Sequence, residues 1–194
     1  GFRQKRSTGR QVQSIMWERD QARDSRARLI QAFIDFCNAF NSIDHPAVWT
    51  LGKETLMPDM DLLQNIYDGT YYKTSTPYGL TANIVLTRGT KQGDGLSPLL
   101  FIFLFNALLA MLRRRKARNA ETIASALVRA FADDLTISTS SVEDTVTALT
   151  IVDEFCRWSG TRVNWGKSEI TAYDFKTEEE LSDCRLNATC AKLK

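Results

Sequence analysis

The sequence predicts an α+β domain in which an antiparallel sheet packs on helices, and three observations carry that prediction. Apolar residues recur at helical spacing in some stretches and run continuously or alternate in others. Two pairs of short β-prone runs, 71–76 with 83–87 and 126–132 with 135–140, lie close enough in sequence to form hairpins. Neither G-x-G-x-x-G nor G-x-x-x-x-G-K occurs, so nothing points to a parallel nucleotide-binding sheet.

Taken in order, residues 11–32 predict a helix: they lack Pro and Gly and space Val12, Ile15, Met16, Leu29 and Ile30 at roughly helical intervals. The run from Ala32 to Phe36 is apolar except for Asp35, which suits a buried strand carrying one functional carboxylate near its end. Asp59 to Tyr67 predicts a second helix, closed by Gly69. Pro77-Tyr78-Gly79 then predicts a hairpin turn longer than two residues. Ser97-Pro98 ahead of Leu99–Arg115 supplies a cap, a first-turn proline and a basic last turn. Asp133-Asp134 separates two β-prone runs, so a tight hairpin would carry both carboxylates at its tip. Ser141 and Asp144 form a capping box for a helix through Trp158, with Val142, Val146, Leu149, Val152 and Phe155 facing the core and Gly160 ending it. A last strand or loop runs through Ile170, before an acidic tail.

The 194 residues, 43% hydrophobic, suffice for one cored domain. The net charge of +2 hides two basic regions: eight Lys or Arg against three acids in the first thirty residues, and five more between Arg113 and Arg118. Basic clusters fit phosphate backbones but serve equally as solvated faces. Cys37, Cys156, Cys184 and Cys190 contain no Cys-x-x-Cys pair, and the single histidine, His45, completes no familiar zinc set. Reduced, structural thiols are expected. Leu99–Leu112, interrupted by Asn106, is too short to span a bilayer and no secretory signal opens the chain, so an intracellular protein without a membrane partner is expected. The opening Gly1-Phe2-Arg3 has no initiator Met, which reads as a fragment or a processed product.

The chemistry lies in the carboxylates. Adjacent aspartates repel, and each raises the other's pKa unless a cation neutralises them. Mg²⁺ takes oxygen ligands, commonly one or two carboxylates plus substrate phosphates, so Asp35, Asp133 and Asp134 suit two such ions. Two ions about 3.5–4 Å apart would activate an attacking hydroxyl and steady the leaving oxygen of an in-line phosphoryl transfer. A bare Asp-Asp is otherwise a solvated turn. Here it follows two other ordered blocks, Phe33-Ile34-Asp35-Phe36-Cys37-Asn38-Ala39-Phe40 and Arg88-Gly89-Thr90-Lys91-Gln92-Gly93-Asp94-Gly95-Leu96-Ser97-Pro98, and precedes Val163-Asn164-Trp165-Gly166-Lys167-Ser168.

In that order the blocks resemble motifs A, B, C and D of reverse transcriptases, with Phe131-Ala132-Asp133-Asp134 as motif C and wording typical of non-LTR retrotransposons. Gly1-Phe2-Arg3, Arg6-Ser7-Thr8 and Gln11 resemble the segment ahead of motif A. The resemblance implies the fingers and palm of a right-hand polymerase without its thumb. Residues 1–32 and 43–96 would be fingers, 33–42 and 97–170 palm, and 171–194 the tail or the start of a palm–thumb connection. It implies metal ligation by Asp35, Asp133, Asp134 and the backbone carbonyl of Phe36, with Mg²⁺ as cofactor and Mn²⁺ as substitute. Asn38 and Ala39 would face the triphosphate with backbone N–H groups, Phe40 would be a steric gate under the sugar, and Gln92 and Gly93 would position the nucleotide and templating base. Lys167 would assist pyrophosphate departure, and Arg3, Lys5, Arg6 and Arg10 would contact the template backbone. From the residues alone, Phe40 serves equally as a core aromatic and Lys167 as a solvated lysine.

Asn41 stands where the family commonly has a second aspartate after motif A. The resemblance therefore implies RNA-directed DNA synthesis on an RNA template and DNA primer with dNTPs, completed by further fingers and thumb or by other subunits. This stretch alone is expected to be weakly active or inactive. The competing expectation is a domesticated, inactive relative serving as a structural or RNA-binding subunit. A retroelement origin implies the nucleus, with an organelle as the other location.

Overall fold

The computed structural model describes residues 7–91, 93–118 and 127–174. Helix α1, Thr8–Asp24, starts where the Ser7 hydroxyl accepts the N–H of Arg10 at 3.4 Å. It ends earlier than its spacing predicts. The Ser25 N–H and hydroxyl both return to the Gln21 carbonyl, Arg26 turns into the left-handed region (φ 49°), and strand β1, Arg28–Ile34, follows. Leu29 and Ile30 are therefore strand residues, one buried on each face, while Val12 and Met16 are exposed instead of in the core. A strand covered on both faces reads as a continuous apolar run, which periodicity cannot separate from the end of a helix.

After β1 come α2 (Ala39–Ser42), α3 (His45–Glu54) and α4 (Met60–Tyr67). Asp44-His45-Pro46, with proline in the first turn of α3, carries the same signature that predicts the helix after Ser97, yet the sequence reading assigned nothing there. Residues 71–85 form a nested ribbon: β3 (Ser75–Thr76) with β4 (Gly79–Leu80) around Pro77-Tyr78, and β2 (Tyr71–Tyr72) with β5 (Ile84–Val85). Its turn has two residues, shorter than expected, because Gly79 at φ 117° closes it directly.

Helix α5 is Ser97–Arg118. Ser97 is not its cap. The Ser97 hydroxyl donates to the Lys91 carbonyl at 2.5 Å, and the Asp94 carboxylate takes the Leu96 N–H at 3.0 Å. The predicted hairpin is β6 (Leu127–Phe131) and β7 (Asp134–Thr139). Helix α6, Val142–Ser159, is capped by Ser141 accepting the Asp144 N–H and ends at Gly160 with φ 71°; of the expected capping box only this first half forms, and Asp144 Oδ1 is buried with no hydrogen-bond partner. Val142 and Val146 are exposed, and Ala148, Ile151 and Cys156 take the core positions beside Leu149, Val152 and Phe155. Strand β8, Glu169–Asp174, completes the sheet and crosses the expected boundary at 170.

The order is β6-β7-β1-β8, antiparallel throughout. Alternate residues point to opposite faces. Ala32, Ile34, Leu135 and Ile137 join Leu104 and Leu108 of α5 and Val152 and Phe155 of α6 in one core. Gln31, Thr136 and Ser138 face the other way, where α1 lies against β1 and β6. The sheet thus has an apolar face covered by two helices and a polar face covered by one. No helix among the described residues is long and apolar enough to cross a membrane.

Candidate active site

Asp35 immediately follows β1, and its main chain is held from both sides. Its N–H donates to the Ser168 hydroxyl at 3.1 Å, and its carbonyl accepts from Asn164 at 2.8 Å. Cys37 N–H reaches the Arg162 carbonyl at 2.8 Å, and Phe36 bridges Val163, so residues 161–168 run antiparallel to 35–37. Antiparallel pairing of β1 with β7 sets Ile34 opposite Leu135. One residue further, the same register puts Asp35 beside Asp134, the first residue of β7. Phe131 pairs with Asp134 across a two-residue turn, Ala132-Asp133, in which Ala132 adopts φ 55°. A side chain other than glycine in that region is strained, and such strain gathers at functional sites.

The electrostatics follow from the register. Burial, then Asp133, then Asp35 raise the Asp134 carboxyl above the ordinary aspartate range. Asp35 and Asp134 line a cleft of about 440 Å³, with Lys167 on its rim and Thr8, Gln11 and Ile15 of α1 opposite. Among the described residues no three His, Cys, Asp or Glu side chains converge as a ready metal cage. The three-carboxylate set expected from the sequence is therefore not assembled as one cluster; the structure brings together Asp35 and Asp134, an oxygen-only pair of the kind Mg²⁺ takes along with substrate phosphates.

The remaining sequence-predicted residues are distributed as follows. Phe36 is buried and meets Phe105 edge-on, at 5.1 Å between ring centroids. Asn38 (φ 45°) opens α2, its carbonyl accepting from Asn41 and Ser42, and Ala39 is buried. Phe40 is half-buried and stacks on Phe101 at 4.5 Å, so it belongs to the aromatic row Phe40–Phe101–Phe105 whether or not it also gates a sugar. Gly93 takes φ 83° and has no atom within 4 Å of where a Cβ would stand, so its neighbourhood is open, not closely packed. Gln92, Arg3, Lys5 and Arg6 lie outside the described residues. Arg10, exposed on α1, is placed with Arg113 and Arg129 around a second cleft of about 610 Å³ between α1, α5 and β6.

Two groups of residues escape the sequence reading. The first ties 40–45 to 88–90: Thr90 N–H to the Phe40 carbonyl (3.0 Å), Gly89 N–H to the Ile43 carbonyl (2.7 Å), and the Arg88–Asp44 ion pair (3.4 Å). His45 Nε2 sits 2.7 Å from the Gly89 carbonyl; a carbonyl only accepts, so Nε2 carries the proton. The second is a buried set on the polar face of the sheet, Glu18 with Arg129, Ser14 and Ser138. Nothing in a single sequence pairs residues more than a hundred positions apart; the one signal was a carboxylate in a helix that otherwise shows little apolar stripe.

The family model described as "Reverse transcriptase (RNA-dependent DNA polymerase)" matches residues 1–182. The retrovirus-related Pol polyprotein of the type-2 retrotransposable element R2DM from Drosophila melanogaster is 34% identical over 111 residues, covering 55% of this chain and 10% of that protein. The corresponding polyprotein of the type-1 element R2 from Popillia japonica is 30% identical over 137 residues, 68% of this chain and 22% of that one. The RNA-directed DNA polymerase from mobile element jockey of Drosophila funebris is 23% identical over 172 residues, 87% and 18%. The chain thus spans about a tenth to a fifth of the length of these relatives. Among solved structures, telomerase from Candida tropicalis with a fragment of telomeric RNA superposes with TM-score 0.67 at 14% identity, over 91% of this chain and 30% of that one. Its Candida albicans counterpart gives 0.66 at 14% identity, over 85% and 30%. The structural likeness supports the fold: helices packed on an antiparallel sheet.

Proposed function

The chain belongs to the reverse transcriptase family, and from that premise we propose that it forms the nucleotidyl-transfer centre of an RNA-directed DNA polymerase from a non-LTR retroelement. The observation that carries the proposal is the register that sets Asp35 beside Asp134, with Asp133 in the intervening turn, at the open end of a cleft. Residues 33–42 and 97–170 form the palm in this reading, and 1–32 and 43–96 the fingers.

Asp35, Asp133 and Asp134, with the Phe36 carbonyl, would hold two Mg²⁺ or Mn²⁺ ions. When bound, the ions supply Lewis acidity to the attacking primer hydroxyl and neutralise charge on the phosphates. The rest falls to the chain. Asn164 and Ser168 fix the main chain at Asp35, and so the point from which its carboxylate projects. Lys167, on the same turn, presents a cation to the departing pyrophosphate. Backbone at Asn38 and Ala39 faces the triphosphate, Phe40 lies under the sugar, and Gln92 and Gly93 border the templating base. Arg3, Lys5, Arg6 and Arg10 meet the template backbone through contacts that weaken with salt. RNA template, DNA primer and dNTPs are the partners this assigns, together with the remaining parts of a longer polymerase.

Primer extension on primed RNA with dNTPs and Mg²⁺ or Mn²⁺ tests the reading. Metal-dependent extension lost in Asp134→Asn is expected. Because this stretch alone is expected to be weakly active, the comparison is made in a longer polymerase that carries these residues; extension by that variant equal to the unsubstituted protein would sink the reading, and RNA binding with no Mn²⁺ binding at these carboxylates would favour a structural subunit.

A further inference from the structure

We propose that Glu18 and Arg129 are positioning residues that set where the Asp133-Asp134 turn stands relative to Asp35; the inference rests on the reading of these carboxylates as a divalent-cation site. Glu18 is 7% exposed in the middle of α1, while Met16 and Trp17 of the same helix are each 60% exposed. A helix that buries a carboxylate and leaves an indole in water is docked by polar contacts, against the usual tendency of charged residues to stay outside. Both Glu18 oxygens are used. Oε1 pairs with Arg129 Nη2, and Oε2 accepts the Ser138 hydroxyl at 2.8 Å; Arg129 Nε in turn donates to Ser14 at 3.1 Å.

The attachment points lie on both arms of the hairpin. Arg129 on β6, opposite Thr136, stands two residues behind the closing pair Phe131–Asp134, and Ser138 on β7, opposite Leu127, stands four behind it. One carboxylate thus grips both arms of the hairpin behind its tip. The grip matters because β6, among the described residues, is an edge strand paired only with β7, with no second strand to hold it in the sheet. Stability is a poor reason for such a pair: burying it costs desolvation, and apolar residues of similar volume commonly serve as well or better. Arg129 Nη1 and the neighbouring Gln31 Nε2 are buried with no hydrogen-bond partner, so the patch is not arranged for maximum stability. Fixing the register of an edge hairpin that carries two ligands is a task an apolar contact would perform less specifically.

Two measurements on the 194-residue chain separate positioning from scaffolding: Mn²⁺ affinity by electron paramagnetic resonance, and amide hydrogen exchange across residues 131–135. Glu18→Gln and the apolar double variant Glu18→Met/Arg129→Met are compared with Asp134→Asn. Both are expected to bind Mn²⁺ about 10- to 100-fold more weakly, the range for loss of a group that orients a metal ligand. The double variant is expected to keep the melting temperature of the unsubstituted chain yet exchange faster at the turn. A double variant that melts as usual and binds Mn²⁺ with undiminished affinity would overturn the proposal. Unsubstituted chain that binds Mn²⁺ no better than Asp134→Asn would instead overturn the cation-site reading, and this inference with it.

Discussion

At the scale of single residues, the chemistry and the stability of the site pull in opposite directions. Asp134 has its carboxyl raised by burial, by Asp133 and by Asp35, so the folded chain favours its protonated form. Between the ordinary aspartate range, about 4, and the raised value, the folded state binds more protons than the unfolded one. Stability therefore falls as pH rises through that window, and the deficit is full above it. Asp134→Asn removes both the desolvated charge and its repulsion from Asp133 and Asp35: in metal-free buffer it should melt about 1–2 °C higher at neutral pH, the scale of an exposed charge interaction, and show a flatter decline as pH rises above the ordinary aspartate range. In the same variant nucleotidyl transfer should fall about a thousandfold, a loss of several kcal/mol of charge stabilisation. Denaturation with and without acid, alongside primer extension, checks both signs; a variant less stable at pH 7 would refute the repulsion argument. Phe40 carries the second residue-scale prediction. Phe40→Val removes the bulk assigned to the sugar gate, and selection of dNTP over rNTP should drop about 10- to 100-fold. If selection is unchanged in single-nucleotide incorporation, Phe40 is a core aromatic stacked on Phe101 and nothing more.

At the scale of elements, the sequence was legible where local rules act alone. Ser141 and Gly160 delimit α6 because capping and left-handed termination are decided within one turn. The hairpin around Asp133-Asp134 was legible from its two β-prone runs, but its register was off by one residue: Ala132, in the left-handed region, forms the turn with Asp133, and Asp134 already belongs to β7. The end of α1 was not, because Leu29 and Ile30, buried on both faces of β1, mimic helical spacing. Nor was Gly89 singled out, since its role depends on a segment nearly fifty residues away. At φ 80°, a Cβ there would stand 2.7 Å from the Asn41 carbonyl oxygen and 2.8 Å from its Cα, both backbone atoms that cannot turn aside. Gly89→Ala should therefore cost about 2–4 kcal/mol, combining left-handed strain with a clash. It should also loosen the Thr90–Phe40 and Gly89–Ile43 bonds that hold α2 in place. Chemical denaturation measures the first effect and amide exchange at Thr90 the second; a loss under 1 kcal/mol would mean that the two loops are not in close contact.

At the scale of the whole molecule, the polar and apolar faces of the sheet have different tasks. The apolar face, sealed by α5 and α6, supplies the burial that keeps the strands in register. The polar face, under α1, opens at one end into the carboxylate cleft. Asp35 and Asp134 line it, with Asp133 in the adjoining turn; their repulsion weakens the fold by an amount that a bound cation would return, so under the proposed function a divalent ion should act as a folding ligand. A ligand that binds only the folded state stabilises it by RT ln(1 + [L]/Kd), about 1.4 kcal/mol at a tenfold excess over Kd, or about 3–5 °C in melting temperature for a chain of this size. Mg²⁺ or Mn²⁺ should therefore raise the melting temperature of the unsubstituted chain in a saturable way, whereas NaCl at matched ionic strength should raise it only weakly by screening. Asp35→Asn/Asp134→Asn should start from a higher melting temperature in metal-free buffer and gain nothing from the divalent ion. Equal shifts in the two proteins would place the bound cation elsewhere on the molecule. A saturable shift in the unsubstituted chain alone would tie the stability of the sheet to Asp35 and Asp134.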